Sequence, residues 1–142
     1  MRNFTLKICL LFFFISPFVA FGDVFIQTLE VGSYKAKFAT HNLKKDQGIV
    51  VVLHGLLHED DFIASVDPWI ELQISSVGFV FPQGKTLAFN QSPLLGWGPN
   101  CLDKQVMFIK ELFAHLQKQY RPKWVILAGF SNAAYLVNHF PF

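Results

Sequence analysis

The stretch Val125-Ile126-Leu127-Ala128-Gly129-Phe130-Ser131-Asn132-Ala133-Ala134-Tyr135 places a serine between a run of strand formers and a run of helix formers. Where a buried strand turns into a helix within one residue, the residue at the apex takes a strained backbone conformation, and the residues two positions away on either side crowd each other. Gly129 and Ala133 are small enough for that turn. The stretch is therefore compatible with two interpretations, a nucleophilic Ser131 presented above a sheet or a serine that only caps the following helix.

Strand and helix patterns alternate along the rest of the chain. Ile49–Leu53 is a continuous apolar run, which is typical of a strand covered on both faces of a sheet. The other predicted elements, in chain order, are a hairpin of Val24–Leu29 and Tyr34–Thr40 with a turn at Gly32, a helix from the N-cap Asp67 and Pro68 to about Ser75, a strand at Gly78–Phe81, a loop from Lys85 to Asn100, a helix over Leu102–Tyr120, a strand at Trp124–Ala128 and a helix from Asn132. This order predicts an α/β fold, with a mainly parallel sheet flanked by helices and an N-terminal β-hairpin.

A second group of candidate site residues follows the Ile49–Leu53 strand. Gly55 has no β-carbon, so the backbone there can approach a bound oxyanion closely. The backbone N–H groups of Leu56 and Asn132 would then form an oxyanion hole with two donors, each worth about 3 kcal/mol to a developing alkoxide. His54 has two interpretations, because it can brace this loop by hydrogen bonds or act as a general base.

The first 22 residues have the pattern of a secretory signal peptide. A basic start with Arg2 and Lys7 precedes a short apolar run, and Ala20 and Gly22 place small residues before a cleavage site. The alternative is an uncleaved anchor, but the apolar run is shorter than the roughly 20 residues that span a bilayer. We therefore expect a signal peptide over residues 1–22, one domain over residues 23–142, and export to the periplasm or the medium.

The composition of the exported part excludes several classes of protein. The chain has 12 Lys and Arg, and loss of Arg2 and Lys7 leaves 10 against 10 Asp and Glu, a net charge of zero. No basic run interleaved with aromatic residues remains, so nothing indicates a nucleic-acid interface. Cys9 leaves with the signal peptide, and Cys101 is then alone, so an intrachain disulfide is excluded.

Three segments together carry a resemblance to a known family. Val51-Val52-Leu53-His54-Gly55, Phe81-Pro82-Gln83-Gly84 and Ala128–Ala134 resemble, in order and spacing, the motifs of the α/β-hydrolase fold. Within that superfamily, Ser131 with its following residues and the Gly96-Trp97-Gly98 loop look most like secreted polyhydroxybutyrate-depolymerase-like and feruloyl-type esterases. The resemblance covers Val24 to His139 but corresponds to only the first half of such a domain. Those esterases often carry paired cysteines near these loops, whereas this chain has Leu56 and the single Cys101 there.

The resemblance implies a mechanism in which Ser131 attacks an ester carbonyl, with no cofactor, and with an acid and a histidine base that follow the nucleophile in the chain. After Ser131 the sequence has one histidine, His139, and no Asp or Glu. His139 would lie about 12 Å from Ser131 along the helix axis, too far for a base. His41, His58 and His115 precede the nucleophile and match no family position. We therefore expect a truncated esterase, inactive by itself, with a small-molecule or polymeric ester as the family's substrate.

Two alternatives belong to other classes of protein. The first is a metal-dependent hydrolase that would use the side chains clustered after the same strand, His54, His58, Glu59, Asp60 and Asp61. Because the His54-to-His58 spacing lies at the junction of a strand and a loop and not on a helix, we expect a solvated acidic loop instead, with no metal. The second is a small exported interaction protein without catalysis, whose open sheet edge and aromatic surface are covered by a partner chain.

Overall fold

The computed structural model describes residues 24–31, 34–89, 92–98 and 102–141. The expected signal peptide, the turn at Gly32 and Cys101 lie outside these ranges. Seven strands and three α-helices occur in the described part, in the order β1 Phe25–Val31, β2 Tyr34–His41, β3 Gly48–Leu53, α1 Asp67–Ile70, β4 Val77–Pro82, β5 Lys85–Phe89, β6 Ser92–Gly96, α2 Leu102–Tyr120, β7 Trp124–Gly129 and α3 Ala133–Asn138, with a short 3₁₀ turn at Glu59–Asp61 before α1.

The main sheet has five strands in the order β1-β2-β4-β3-β7. The strands β4, β3 and β7 run parallel, while the β1–β2 hairpin is antiparallel and joins the sheet through the antiparallel pairing of β2 with β4. The sheet is therefore mixed, with the predicted hairpin at one edge and β7 at the other. This is the predicted α/β architecture.

Side chains of the main sheet alternate between two hydrophobic cores. Val51 and Leu53 point to the core formed with α2 and α3, whereas Val52 points to the opposite core beside Phe62 and Val66. Alternate residues of a strand face opposite sides of a sheet, so a strand covered on both sides must be apolar throughout. The apolar run of β3 is continuous because both faces of the strand are covered.

The prediction for α1 was wrong in extent. The helix covers only Asp67–Ile70, and its N-cap is Val66 instead of Asp67. Turns already begin upstream, where the Ser65 amide donates to the Asp61 carbonyl, and Gln73 has φ of 49°, a left-handed conformation that does not continue a helix. The helix therefore follows directly on an upstream turn and ends before Gln73, short of the predicted end at Ser75.

The loop predicted from Lys85 to Asn100 was also wrong. The strands β5 and β6 form an antiparallel hairpin, and Leu95 on β6 also bridges to Leu57. Pro93 lies within β6 and is exposed, a position compatible with proline because this two-stranded sheet has open edges. Pro93 and Gly96 thus lie within and at the end of a strand here, and do not mark the absence of strands.

The strand β7 ends the sheet and exposes apolar side chains. Trp124 is 44% and Ile126 is 52% exposed, although both belong to an apolar strand. The uncovered edge expected from the sequence is therefore present in the described part of the chain. None of the helices in that part is both long enough and apolar enough to cross a lipid bilayer.

Candidate functional site

The turn between β7 and α3 has the strained geometry predicted for it. Ser131 has φ of 56°, a left-handed conformation that is uncommon for a residue with a side chain, and Ser131 is exposed to solvent. A β-carbon on Gly129 would lie 2.8 Å from the carbonyl oxygen of Ala133 and 2.6 Å from Cγ2 of Val137. Only glycine fits at that flank, so the small residues at these positions have a steric cause.

The ends of β3 and β7 bring the two candidate motifs together. Leu53 and Gly129 are register partners, and the Phe130 N–H donates to the Leu53 carbonyl over 3.1 Å. A β-carbon on Gly55 would lie 3.1 Å from the β-carbon of Ser131. The loop after β3 therefore passes directly beside the serine, as parallel neighbouring strands require.

The side chains of the two candidate donor residues meet at the same glycine. A β-carbon on Gly96 would lie 2.7 Å from Cδ2 of Leu56 and 2.9 Å from Nδ2 of Asn132. Within the described ranges, no backbone hydrogen bond uses the N–H of Leu56 or of Asn132. Both N–H groups are therefore without a backbone hydrogen-bond partner in that part of the chain.

His54 bridges two loops through one hydrogen bond at each of its ring nitrogens. The Gly84 N–H donates to Nε2 over 2.8 Å, so Nε2 must be the unprotonated nitrogen, and Nδ1 donates to the Gly55 carbonyl over 2.5 Å. Burial lowers the pKa of His54 below its ordinary value, and the Gly55 carbonyl opposes that shift only in part. This is the arrangement that the bracing interpretation requires, and it leaves no ring nitrogen for Ser131.

The remaining histidines have contacts other than Ser131 in the part of the chain that the structure describes. His139 follows α3, and its Nδ1 pairs with the Tyr135 carbonyl at 2.8 Å. His115 contacts the ring of Phe38 edge-on, His41 on β2 lies beside the ring of Phe79 on β4, and His58 is exposed. Across the described residues, no side-chain hydrogen bond involves Ser131, so no histidine there is paired with its hydroxyl.

The acidic segment after β3 lies in an exposed turn. Glu59, Asp60 and Asp61 form an exposed 3₁₀ turn, and Glu59 lies 3.9 Å from the Lys37 ammonium. No group of three or more His, Cys, Asp or Glu side chains in the described ranges is placed to hold a metal ion. His54, the first member of the hypothetical ligand set, already uses both nitrogens on backbone groups.

An apolar pocket opens beside the two loops. Its volume is about 340 Å³, and it is lined by residues from the β3 end, from α1 and the segment before it, from β4 and from the β7 end, namely Val52, Leu53, His54, Gly55, Leu56, Leu57, Phe62, Ser65, Trp69, Phe81 and Phe130. Because Gly55 and Phe130 belong both to the pocket wall and to the surroundings of Ser131, the pocket lies next to the serine. The sequence did not indicate this pocket, since its walls come from four separate segments.

The contact between Asn132 and the Trp97 loop was also missed. Asn132 Nδ2 donates to the Trp97 carbonyl over 2.9 Å, and Gln105 Nε2 donates to the Gly96 carbonyl over 3.2 Å. Gln105 lies three residues after Leu102 and four before Ile109, in the apolar stripe of α2. Because a polar residue is unusual within an apolar helical stripe, the sequence pattern could have identified Gln105.

Several solved structures share this architecture. The chain superposes on a carboxylesterase from Lactobacillus plantarum with a TM-score of 0.54 and 17% identity, covering 83% of this chain and 45% of that one. It also superposes on a lipase/esterase from the same organism (TM-score 0.53, 17% identity, 83% and 48% covered) and on an α/β serine hydrolase without a lid from Xanthomonas campestris (TM-score 0.50, 14% identity, 80% and 53% covered).

The superpositions cover most of this chain but only about half of each solved structure. The chain spans about half the length of the solved structures that it resembles. No protein-family model matches the sequence, and no curated protein matches it either. At identities of 14–17%, the likeness establishes the fold alone. The described chain has a partial α/β-hydrolase fold.

Proposed function

We propose that this chain is the nucleophile-bearing part of a serine hydrolase that acts on carboxylic esters, with Ser131 as the nucleophile. The observation that supports this most strongly is the positive φ of Ser131 at the exposed apex between β7 and α3. A serine that merely caps a helix needs no left-handed conformation, because N-cap residues have extended backbone angles. The strain is explained if the turn presents the hydroxyl above the sheet edge.

In the proposed reaction, Ser131 Oγ attacks the ester carbonyl carbon as its proton passes to a histidine base. The carbonyl oxygen becomes an oxyanion, and the N–H groups of Leu56 and Asn132 donate to it. The alcohol then leaves with that proton, and water releases the acid from the acyl-serine. Gly55 allows the close approach of the loop, and His54 fixes the loop through its bonds to Gly55 and Gly84.

The base and the acid are proposed to belong to polypeptide beyond the elements described above. The only histidine after Ser131 is His139, which is bonded to the Tyr135 carbonyl. Since the solved hydrolases are about twice as long as this chain, we infer that this sequence corresponds to the first half of such an enzyme and has little activity alone. Export after cleavage of residues 1–22 is part of the same proposal.

The pocket beside Ser131 indicates the kind of ester. Its walls are almost entirely apolar, and its volume of about 340 Å³ suits a small acyl or aryl group. An ester with an apolar acid moiety is therefore the proposed substrate class. The likeness of Ser131-Asn132 and Gly96-Trp97-Gly98 to polyhydroxybutyrate-depolymerase-like and feruloyl-type esterases favours the same class.

The nucleophile can be tested without the missing base. Residues 23–142 are incubated with p-nitrophenyl acetate or butyrate in the presence of imidazole, which supplies an external base, and acylated serine is located by peptide mass mapping. We expect acylation of Ser131, and we expect none at Ser76, an exposed serine with ordinary backbone angles. Equal acylation of both serines would refute the assignment of Ser131 as the nucleophile.

The inactivity of the chain alone has its own test. Without imidazole, wild type and Ser131→Ala are expected to hydrolyse p-nitrophenyl butyrate at the same background rate. Turnover in the wild type that Ser131→Ala abolishes would show that the chain is active as it is and contains its own base.

A second candidate function is supported by the exposed face of β7. Trp124 and Ile126 would be covered if the chain were an exported interaction protein with a partner at this edge. Size-exclusion chromatography separates the two proposals. A stable oligomer of defined size supports the interaction protein, whereas a soluble aggregate supports an incomplete hydrolase.

A further inference from the structure

The segment Leu95–Trp97 at the end of β6 contacts the side chains of both residues that carry the candidate oxyanion donors. We propose that this segment, held in place by Gln105, is a positioning device that sets the distance between the N–H groups of Leu56 and Asn132. The proposal rests on the proposed function, because it concerns the oxyanion hole of the same site. It assigns a role to Gln105, which touches no candidate substrate position, and to a hairpin that the sequence presented as a loop.

The first contact is with the loop after β3. Leu57 N–H donates to the Leu95 carbonyl over 3.2 Å, and Leu95 N–H donates to the Leu57 carbonyl over 2.8 Å. Two reciprocal backbone bonds fix the register between the two segments, as in an antiparallel pair. Leu56, the residue before Leu57, is thereby tied to the end of β6.

The second contact is with the turn after β7. Asn132 Nδ2 donates to the Trp97 carbonyl over 2.9 Å, and Trp97 is only 2% exposed. The side chains of Leu56 and Asn132 both pack against Gly96, where a β-carbon would lie 2.7 Å and 2.9 Å from them. A β-carbon at position 96 would displace the ends of both side chains, so glycine lets Leu56 and Asn132 pack on the same point of the segment.

The third contact fixes the segment to the helix α2. Gln105 Nε2 donates to the Gly96 carbonyl over 3.2 Å, and Gln105 is fully buried. The other buried residues of α2 are apolar, namely Phe108, Ile109, Leu112 and Leu116. Burying an amide is unfavourable unless its groups are paired, and Gln105 Oε1 has no hydrogen-bond partner in the described part of the chain. Core packing alone does not account for a residue with that cost, whereas a requirement to hold the Gly96 carbonyl does.

The test compares two identical substitutions on the same helix. In ¹⁵N-labelled protein of the full sequence, Gln105→Leu is expected to shift the backbone amide signals of both Leu56 and Asn132. Gln117→Leu, at an exposed position of α2, is the matched control and is expected to shift neither. A folded Gln105→Leu protein whose Leu56 and Asn132 signals coincide with those of the wild type would overturn the proposal.

A measurement on the wild type covers the case in which Gln105→Leu does not fold. Hydrogen exchange of the Leu57 and Leu95 amides is expected to be as slow as that of the β3 amides, because the segment is held from three sides. Exchange of these two amides at the rate of exposed loop amides would overturn the proposal, since a mobile segment cannot set a distance.

A functional readout separates failure of this proposal from failure of the proposed nucleophile. With imidazole and p-nitrophenyl acetate, Gln105→Leu is expected to acylate Ser131 several-fold more slowly than Gln117→Leu. If the wild type itself is not acylated, the nucleophile is refuted while the amide signals still decide on the positioning role. If acylation is equal in both variants, the positioning role is refuted while the nucleophile stands.

Discussion

Gly129 and Ala133 approach so closely that a β-carbon on Gly129 would lie 2.8 Å from the Ala133 carbonyl oxygen. The contact joins the end of β7 to the start of α3 across Ser131. Because the opposing atom belongs to the backbone of a helix, it cannot move aside as the end of a flexible side chain would. The turn around Ser131 therefore depends on a residue without a side chain at position 129.

The substitution Gly129→Ala is expected to destabilise the protein by about 1–3 kcal/mol, the usual range for overpacking in a well-packed region. Denaturant unfolding followed by circular dichroism measures the change. Gly98→Ala is the control, because its β-carbon would meet only the movable side chain of Leu87, at 3.2 Å. An equal loss in both variants would mean that the turn around Ser131 is not specifically constrained.

The strained backbone at Ser131 predicts a substitution that raises the free energy of unfolding, whereas Gly129→Ala lowers it. Ser131→Gly is expected to stabilise the protein by about 1 kcal/mol, since glycine adopts a φ of 56° without steric cost. Ala134→Gly, within α3, is the control and is expected to destabilise by about 0.5–1 kcal/mol, because ordinary helical positions favour alanine. Unfolding midpoints in urea compare the two. A loss of stability in Ser131→Gly would show that the serine is not strained.

The pKa of His54 predicts how stability depends on pH. Burial places the folded-state pKa below the ordinary value of 6.5, so the unfolded chain binds a proton more readily than the folded one. The contribution of His54 is therefore fully present above pH 6.5 and is lost as pH falls through that value toward the folded-state pKa. Melting temperatures between about pH 7.5 and pH 5.5 should show this decline.

Two glutamine substitutions isolate the contribution of His54. His54→Gln is expected to flatten the decline, whatever its melting temperature at neutral pH, because the titrating group is gone. His58→Gln removes an exposed histidine and is expected to keep the wild-type slope. A slope that is the same in wild type and His54→Gln would assign the pH dependence to other groups.

The edge strand β7 predicts self-association. Ile126→Lys places a charge on the exposed face of β7 and is expected to reduce aggregation, while changing the free energy of unfolding by less than about 0.5 kcal/mol. Met107→Lys, at an exposed position of α2, is the control and is expected to leave aggregation unchanged. Light scattering at matched concentrations measures both. Equal aggregation of wild type and Ile126→Lys would show that self-association does not use β7.

Local pattern was sufficient for most of the elements and for the turn at Ser131. The apolar run of β3, the period of α2 and the small residues around Ser131 are each set by rules that act over a few residues. The two failures were the extent of α1, where neighbouring turns outweighed local preference, and the hairpin of β5 with β6, whose end is also bonded to a distant loop. Leu95 pairs with Leu57, 38 positions earlier, and no local pattern contains that partner.

The sequence by itself thus determined the α/β order of the elements, the sharp turn that presents Ser131 and the glycine that lets the loop after β3 approach it. These features depend on side-chain size and hydrophobic period, which can be read position by position. Only the tertiary structure decided that both ring nitrogens of His54 are used on backbone groups, that Leu56 and Asn132 pack against Gly96, and that Gln105 holds that glycine in place. These relationships join residues far apart in the chain, and hydrogen bonds between such residues exist only after the sheet and its helices have packed.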